Sequence, residues 1–142
     1  MDLPIEDQNI LQLIPQRPPM VMVSSLISHS HKVTRSQLHL NDDNIFCTGG
    51  KFIAAGMLEN IAQTAALRMG YIAKQHSQSK VPLGFIGAIS KVKIHQEPDS
   101  NCTLETLVEV DQEIFGIQLI RGGVSHDQQL LCECEMKIVI KS

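Results

Sequence analysis

Residues 52–73 form an almost wholly apolar run of helical character that carries a single carboxylate, Glu59, near its start. Wound at 3.6 residues per turn, the run places Leu58, Ile61, Ala62, Ala65, Met69 and Ile72 on one stripe. Asn60, Gln63, Thr64 and Leu67 fall mostly on the far side, and Glu59 sits at the boundary, one turn before Gln63. Apolar residues outnumber polar ones on both flanks, so the spacing predicts a helix covered over most of its circumference. A bilayer span is excluded, because Glu59, Asn60, Gln63, Thr64 and Arg68 interrupt the run too densely.

The rest of the chain predicts what covers that helix. A short helix over residues 6–13 should stop at Pro15, because the residue before a proline is pushed out of the helical region. Residues 20–28 and 32–40 read as strands meeting at the polar turn Ser28-His29-Ser30-His31. After the polar stretch of residues 76–82, everything reads as β. Residues 83–95 place Ile86, Ala88, Val92 and Ile94 on one face and Lys91, Lys93 and His95 on the other. Residues 102–110 oppose Cys102, Leu104, Val108 and Val110 to Thr103, Glu105 and Glu109. Residues 114–124 and 130–140 should form a hairpin around His126-Asp127. One apolar helix among five or six mostly antiparallel strands is an α+β arrangement in which a curved sheet wraps the helix. No linker, repeat or low-complexity tract divides the 142 residues, and that length suits one domain over residues 1–142.

Composition narrows the function. With 12 basic and 15 acidic residues and a net charge of -3, the chain lacks the basic surface that nucleic acid requires. The opening Met-Asp-Leu-Pro-Ile-Glu-Asp has neither a basic leader nor an apolar core of secretory type, which sets the expectation of a cytoplasmic protein. Strand alternation turns Cys132 and Cys134 inward together, away from Glu133 and Glu135. Their spacing is not that of a metal knuckle, and Cys47 and Cys102 have no close partner in sequence, so the thiols read as packing residues and no metal or other cofactor is expected.

Two segments carry a family resemblance. Leu13-Ile14-Pro15-Gln16-Arg17-Pro18-Pro19-Met20 resembles the opening Leu-(Ile/Leu)-Pro-His-Arg-x-Pro-(Phe/Met) motif of the hotdog-fold 3-hydroxyacyl-acyl-carrier-protein dehydratases. Glu59-Asn60-Ile61-Ala62-Gln63 is similar to the Glu-Ala-Met-Ala-Gln that runs into that family's central helix. Weaker matches follow at residues 84–94 and at Pro98-Asp99. The resemblance implies a single hotdog domain and pairing into a homodimer, or into a heterodimer with a dehydratase homologue. It also implies a 3-hydroxyacyl thioester substrate on acyl carrier protein or coenzyme A, in fatty-acid or polyene synthesis. In the family a His of one subunit takes the C2 proton, the helix carboxylic acid of the other helps the hydroxyl leave as water, and helix-start N–H groups hold the thioester oxygen.

Carried over by position, the carboxylate is Glu59 and its helix neighbour Gln63, while the base position holds Gln16. A carboxamide does not take up a proton at physiological pH. The family's His-Phe-Pro-Gly approach to the helix is also missing from residues 48–56, which leaves the N–H of Ala55 or Gly56 for the thioester oxygen. Arg17 is read as fixing its loop or an interface, with attraction of an acidic carrier as the alternative. None of the six histidines stands beside either motif. Three functions compete: a dehydratase-type acyl-thioester protein, a non-catalytic partner subunit lending Glu59 to an active homologue, and a thioesterase using Glu59 toward water.

Overall fold

The computed structural model describes residues 2–77 and 80–141. Part of the polar stretch of residues 76–82, namely Gln78 and Ser79, therefore lies outside the described residues. Among the described residues nine strands and one α-helix follow in the order β1 (Ile5–Glu6), a 3-10 turn (Asp7–Gln12), β2 (Ser25–His29), β3 (Val33–His39), β4 (Cys47–Thr48), β5 (Lys51–Phe52), α1 (Ala54–Gln75), β6 (Leu83–Ile94), β7 (Thr103–Ile114), β8 (Ile117–His126) and β9 (Gln129–Lys141). Seven strands form one antiparallel sheet, ordered β1-β2-β3-β7-β8-β9-β6, and β4 and β5 pair separately as a small ribbon. The five or six strands expected become seven in the main sheet because the two-residue β1 adds Ile5 and Glu6 to the edge of β2. Among the described residues no helix is long and apolar enough to cross a membrane.

Alternation decides which strand residues enter the core. On β7, Leu104, Thr106, Val108 and Val110 are buried between exposed Thr103 and Glu105 and half-buried Glu109. On β9, Cys132, Cys134, Met136 and Ile138 are buried in turn. These side chains meet Met57, Ile61 and Ala65 of α1 in the main core. A second cluster joins Ile10, Leu13, Ile14 and Leu26 to Leu67 on the other side of the helix. Burial holds both strand thiols neutral, raising Cys132 to about 11 and Cys134 to about 12. All four cysteines are free.

Several boundaries shift for identifiable reasons. The strand expected over residues 20–28 is β2 and starts at Ser25, because residues 20–24 form an irregular segment whose backbone bonds to α1 side chains. Its hairpin then turns after His29, not across it. The polar run Asp111-Gln112-Glu113 continues β7 past Val110, with a register shift between Val110 and Gln112, and Arg121 of β8 pairs with both Glu109 and Asp111 at 2.7 and 3.0 Å. The β7–β8 hairpin therefore turns at Phe115-Gly116, both at positive φ, and Phe115 is fully exposed at its tip.

The far side of α1 is not a solvent face. Asn60, Gln63, Thr64 and Arg68 are all buried. Asn60 Nδ2 donates to the Met22 carbonyl at 2.7 Å and its Oδ1 accepts from Thr106. Thr64 lies 2.7 Å from Ser36 and donates to the Asn60 carbonyl. Arg68 spreads its guanidinium over the Ser30 and His31 carbonyls and Thr34 of the β2–β3 hairpin. His29, tilted over Tyr71, lies beside it, and its pKa is lowered by burial and then by the Arg68 charge. One polar row thus ties the helix to β3, β7 and the hairpin. Two glycines let the layers close: a Cβ at Gly122 would strike Ile61, and one at Gly70 would overlap the Leu13 carbonyl.

Asn60→Leu should lower stability by about 3 kcal/mol, since it leaves the Met22 carbonyl and Thr106 buried without partners. Chemical denaturation reads this, and an unchanged midpoint would show that the polar row contributes nothing. Gly70→Ala should cost about 1–3 kcal/mol through overpacking against backbone that has no rotamer to move. A melting temperature equal to the parent's would refute that.

Candidate functional site

The start of α1 is built without a side-chain cap of its own. Ile53 occupies the capping position, and Glu97, which follows β6, supplies the missing acceptor by taking the Ala54 N–H at 2.6 Å. Gly56 N–H already donates to the Ile53 carbonyl at 2.9 Å and Met57 N–H to the same oxygen at 3.3 Å. Gly56 itself is buried, and a Cβ there would lie 2.5 Å from the Phe52 ring. Of the two amides expected to serve a thioester oxygen, Gly56 is thus engaged. Ala55 is exposed and stands one turn before Glu59 on the same helix face.

Glu59 is half-buried, and Gln63 holds it. Gln63 is fully buried, and all of its bonds are spent within the chain. Its Oε1 accepts from Met22 N–H at 2.6 Å, while its Nε2 donates to the Met20 carbonyl at 2.8 Å and to Glu59 Oε1 at 2.9 Å. One carboxylate oxygen is therefore oriented and tied to the segment that follows the Pro18-Pro19 turn. Gln63 acts on that carboxylate from behind, and it has no surface to offer a ligand.

Beside Glu59 lies a small cavity of ≈ 80 Å³. Its walls are Pro15 and Gln16 from the loop, Glu59, Ala62, Ala66 and Met69 from α1, Pro82 just before β6, Gly84 and Ile86 from its start, and Ile138 from β9. Gln16 Oε1 is buried there without a hydrogen-bond partner among the described residues. The resemblance implies that the base position and the carboxylate come from different subunits, and within this chain Gln16 and Glu59 already border one cavity. Larger hollows of ≈ 420 and ≈ 480 Å³ lie along the outer face of the sheet and contain neither residue.

The remaining expected residues separate from the cavity. Arg17 folds its guanidinium back onto the Ile14 and Gln16 carbonyls at 2.8 and 2.7 Å, which braces the loop that presents Gln16. Among the described residues no histidine lines the cavity. His39 and His126 bond to Thr103, and His95 pairs with Glu133. The cationic face expected from Lys91, Lys93 and His95 is partly neutralised within the chain, since Lys91 lies 3.0 Å from Glu135 and His95 3.1 Å from Glu133.

Sequence reasoning missed Met69, Gly84 and Ile138 as walls of the cavity that Glu59 borders. The helical stripe of Ala62, Ala66 and Met69 was the available signal, because those residues follow Glu59 at steps of three and four. Among the described residues β6 is also unpaired on one side, since only β9 adjoins it. Its Leu83, Phe85, Ile86, Ile89, Val92 and Ile94 are all exposed by 40% or more. An exposed twelve-residue edge of this kind presents unpaired backbone groups to which another strand can add.

Chemically, the site joins a carboxylate with one oxygen fixed, an unpartnered amide oxygen and apolar walls. It has a proton donor or acceptor in Glu59 and no second titratable group among the cavity's lining residues.

Comparisons with known proteins bear on the fold and the family. A search of curated proteins finds no significant match. Among solved structures, the ApeI:P dehydratase heterocomplex from Xenorhabdus doucetiae superposes with a TM-score of 0.86 at 16% identity, covering 100% of this chain and 93% of that one. An uncharacterized protein from Pyrococcus horikoshii matches at 0.69 and 11% identity, over 97% and 95% of the two chains. A hypothetical thioesterase with coenzyme A from Streptococcus pneumoniae matches at 0.66 and 7% identity, over 82% and 84%. Such distant likenesses establish the hotdog fold. The profile of the ApeP-like family, described as ApeP dehydratase, matches residues 8–141, and the chain belongs to that family of hotdog-fold, dehydratase-like proteins.

Proposed function

We propose that this chain binds a 3-hydroxyacyl thioester, carried on acyl carrier protein or coenzyme A, and contributes Glu59 to a dehydration site whose base comes from a partner subunit. The observation that carries the reading is that β6 does two things at once. Its residues Gly84 and Ile86 line the Glu59 cavity, with Pro82 just before the strand, and its outer edge is open and apolar. A second hotdog chain pairing on that edge would come up against the cavity that lacks a base. The structural neighbour named as a dehydratase heterocomplex supports a heteromeric partner over a second copy of this chain.

The chemistry divides accordingly. The partner's base takes the C2 proton, the freed electron pair forms the C2–C3 double bond, and the 3-hydroxyl departs as water with the proton of the Glu59 carboxyl. Gln63 keeps that carboxyl aimed at the cavity. In this reading the exposed Ala55 N–H takes the thioester oxygen and the unpartnered Gln16 Oε1 accepts from the substrate hydroxyl.

Dehydration assays on 3-hydroxyacyl carrier protein test this. The isolated chain should be inactive, and its complex with a His-bearing dehydratase homologue active. Glu59→Gln in this chain should slow the complex by about 10²-fold or more. Full activity of the mutant complex would remove Glu59 from the reaction, and release of free thiol from acyl-CoA would make the protein a hydrolase instead. Gln16→His should give the isolated chain measurable dehydration, and a variant that folds yet stays inert would show that more than the base is missing.

A further inference from the structure

We infer that Gln16 is a specificity-determining residue of this site: its buried amide oxygen favours an acyl thioester that brings a hydroxyl and disfavours one that brings none. The inference rests on the cavity beside Glu59 being the acyl-thioester site, and it adds what that site selects.

Gln16 Oε1 is closed to solvent and accepts no hydrogen bond among the described residues. The loop that carries it is pinned on both sides. Leu13 and Ile14 before it are buried, and the Leu13 carbonyl lies tight against Gly70 of α1. After it, Arg17 donates to the Ile14 and Gln16 carbonyls at 2.8 and 2.7 Å, and Met20 N–H donates to the Arg17 carbonyl at 2.9 Å. A buried acceptor without a donor destabilises a folded protein, so the ligand-free chain gives up stability by keeping an amide there.

What could satisfy that oxygen follows from its surroundings. Glu59 apart, the other walls of the cavity are proline, alanine, methionine, glycine and isoleucine residues, whose side chains offer no hydrogen-bond donor. Gln63 already occupies Glu59 Oε1 at 2.9 Å, which leaves the other carboxyl oxygen for a ligand. A ligand therefore meets an amide acceptor on the loop and a carboxyl on the helix. A hydroxyl answers both, since it donates to the amide oxygen and accepts from the protonated carboxyl. A ketone can accept from the carboxyl but donates nothing, and a methylene does neither. Binding a hydroxyl thus relieves the unpartnered oxygen, and a thioester without one gains nothing from it.

The test titrates 3-hydroxybutyryl, 3-oxobutyryl and butyryl N-acetylcysteamine thioesters calorimetrically into the purified chain. The parent should favour the 3-hydroxy ligand over the other two by about tenfold or more. Gln16→Met, a change to an apolar side chain of similar length, should bring the three within about threefold of one another. The same variant without ligand should melt higher than the parent by about 3 °C or more, because it removes the unpartnered oxygen. A melting temperature unchanged or lowered would show that the oxygen has a partner in the free protein and would overturn the inference. Equal affinities for the three ligands in the parent would overturn the selection and leave the thioester site standing. Failure of all three to bind the parent would overturn the site reading, and the selection with it.

Discussion

The structure depends on the hydrogen bonds that buried polar residues of α1 make with their surroundings. An apolar helix inside an apolar sheet could rotate or slide by a turn at little loss, because one aliphatic contact resembles another. Asn60, Thr64 and Arg68 remove that freedom, since each has partners at a single position on β3, β7 or the hairpin between β2 and β3. Breaking one of these bonds leaves a buried polar atom unsatisfied, which costs more than the bond contributes when made. Fixing the rotation of α1 also fixes the opposite flank. Glu59, Ala62, Ala66 and Met69 face the cavity because Asn60, Thr64 and Arg68 face the other way.

Much of this was legible in the residues and some was not. The central helix, the inward faces of β7 and β9 and the hairpin between β8 and β9 follow from periodicities of 3.6 and 2. The polar row did not, because Asn60 and Thr64 look the same in sequence whether they face water or a matched acceptor. The short β1 is invisible for a different reason: two residues carry no period. On β6 the alternation itself misleads. Register shifts after Ile86 and after Ser90 change the phase of the strand, so that Ile86 and Ile89, an odd interval apart, pair with the inward residues Ile138 and Met136.

The site divides in the same manner. Glu59 stands out in the sequence as a carboxylate on an apolar helix and the loop motif singles out Gln16, and the fold sets these two candidates on one cavity. Gln63 could be named too, although its burial assigns it to orienting Glu59 and not to touching a ligand. What encloses them could not be read, because Gly84 and Ile138 lie far from Glu59 in the chain and meet it only through the curl of the sheet. The capping of α1 by Glu97 is of this kind as well: nothing near residue 54 announces that its acceptor arrives 43 residues later.

The open edge of β6 also bears on the life of the free chain. A long apolar strand with unsatisfied backbone groups recruits whatever strand it meets, including copies of itself in the wrong register. Anything that occupies this edge only in the folded state stabilises the fold by mass action. The supply of a matching chain would then govern how much of this protein survives, so that two polypeptides made in unequal amounts would leave the surplus of this one to aggregation and degradation.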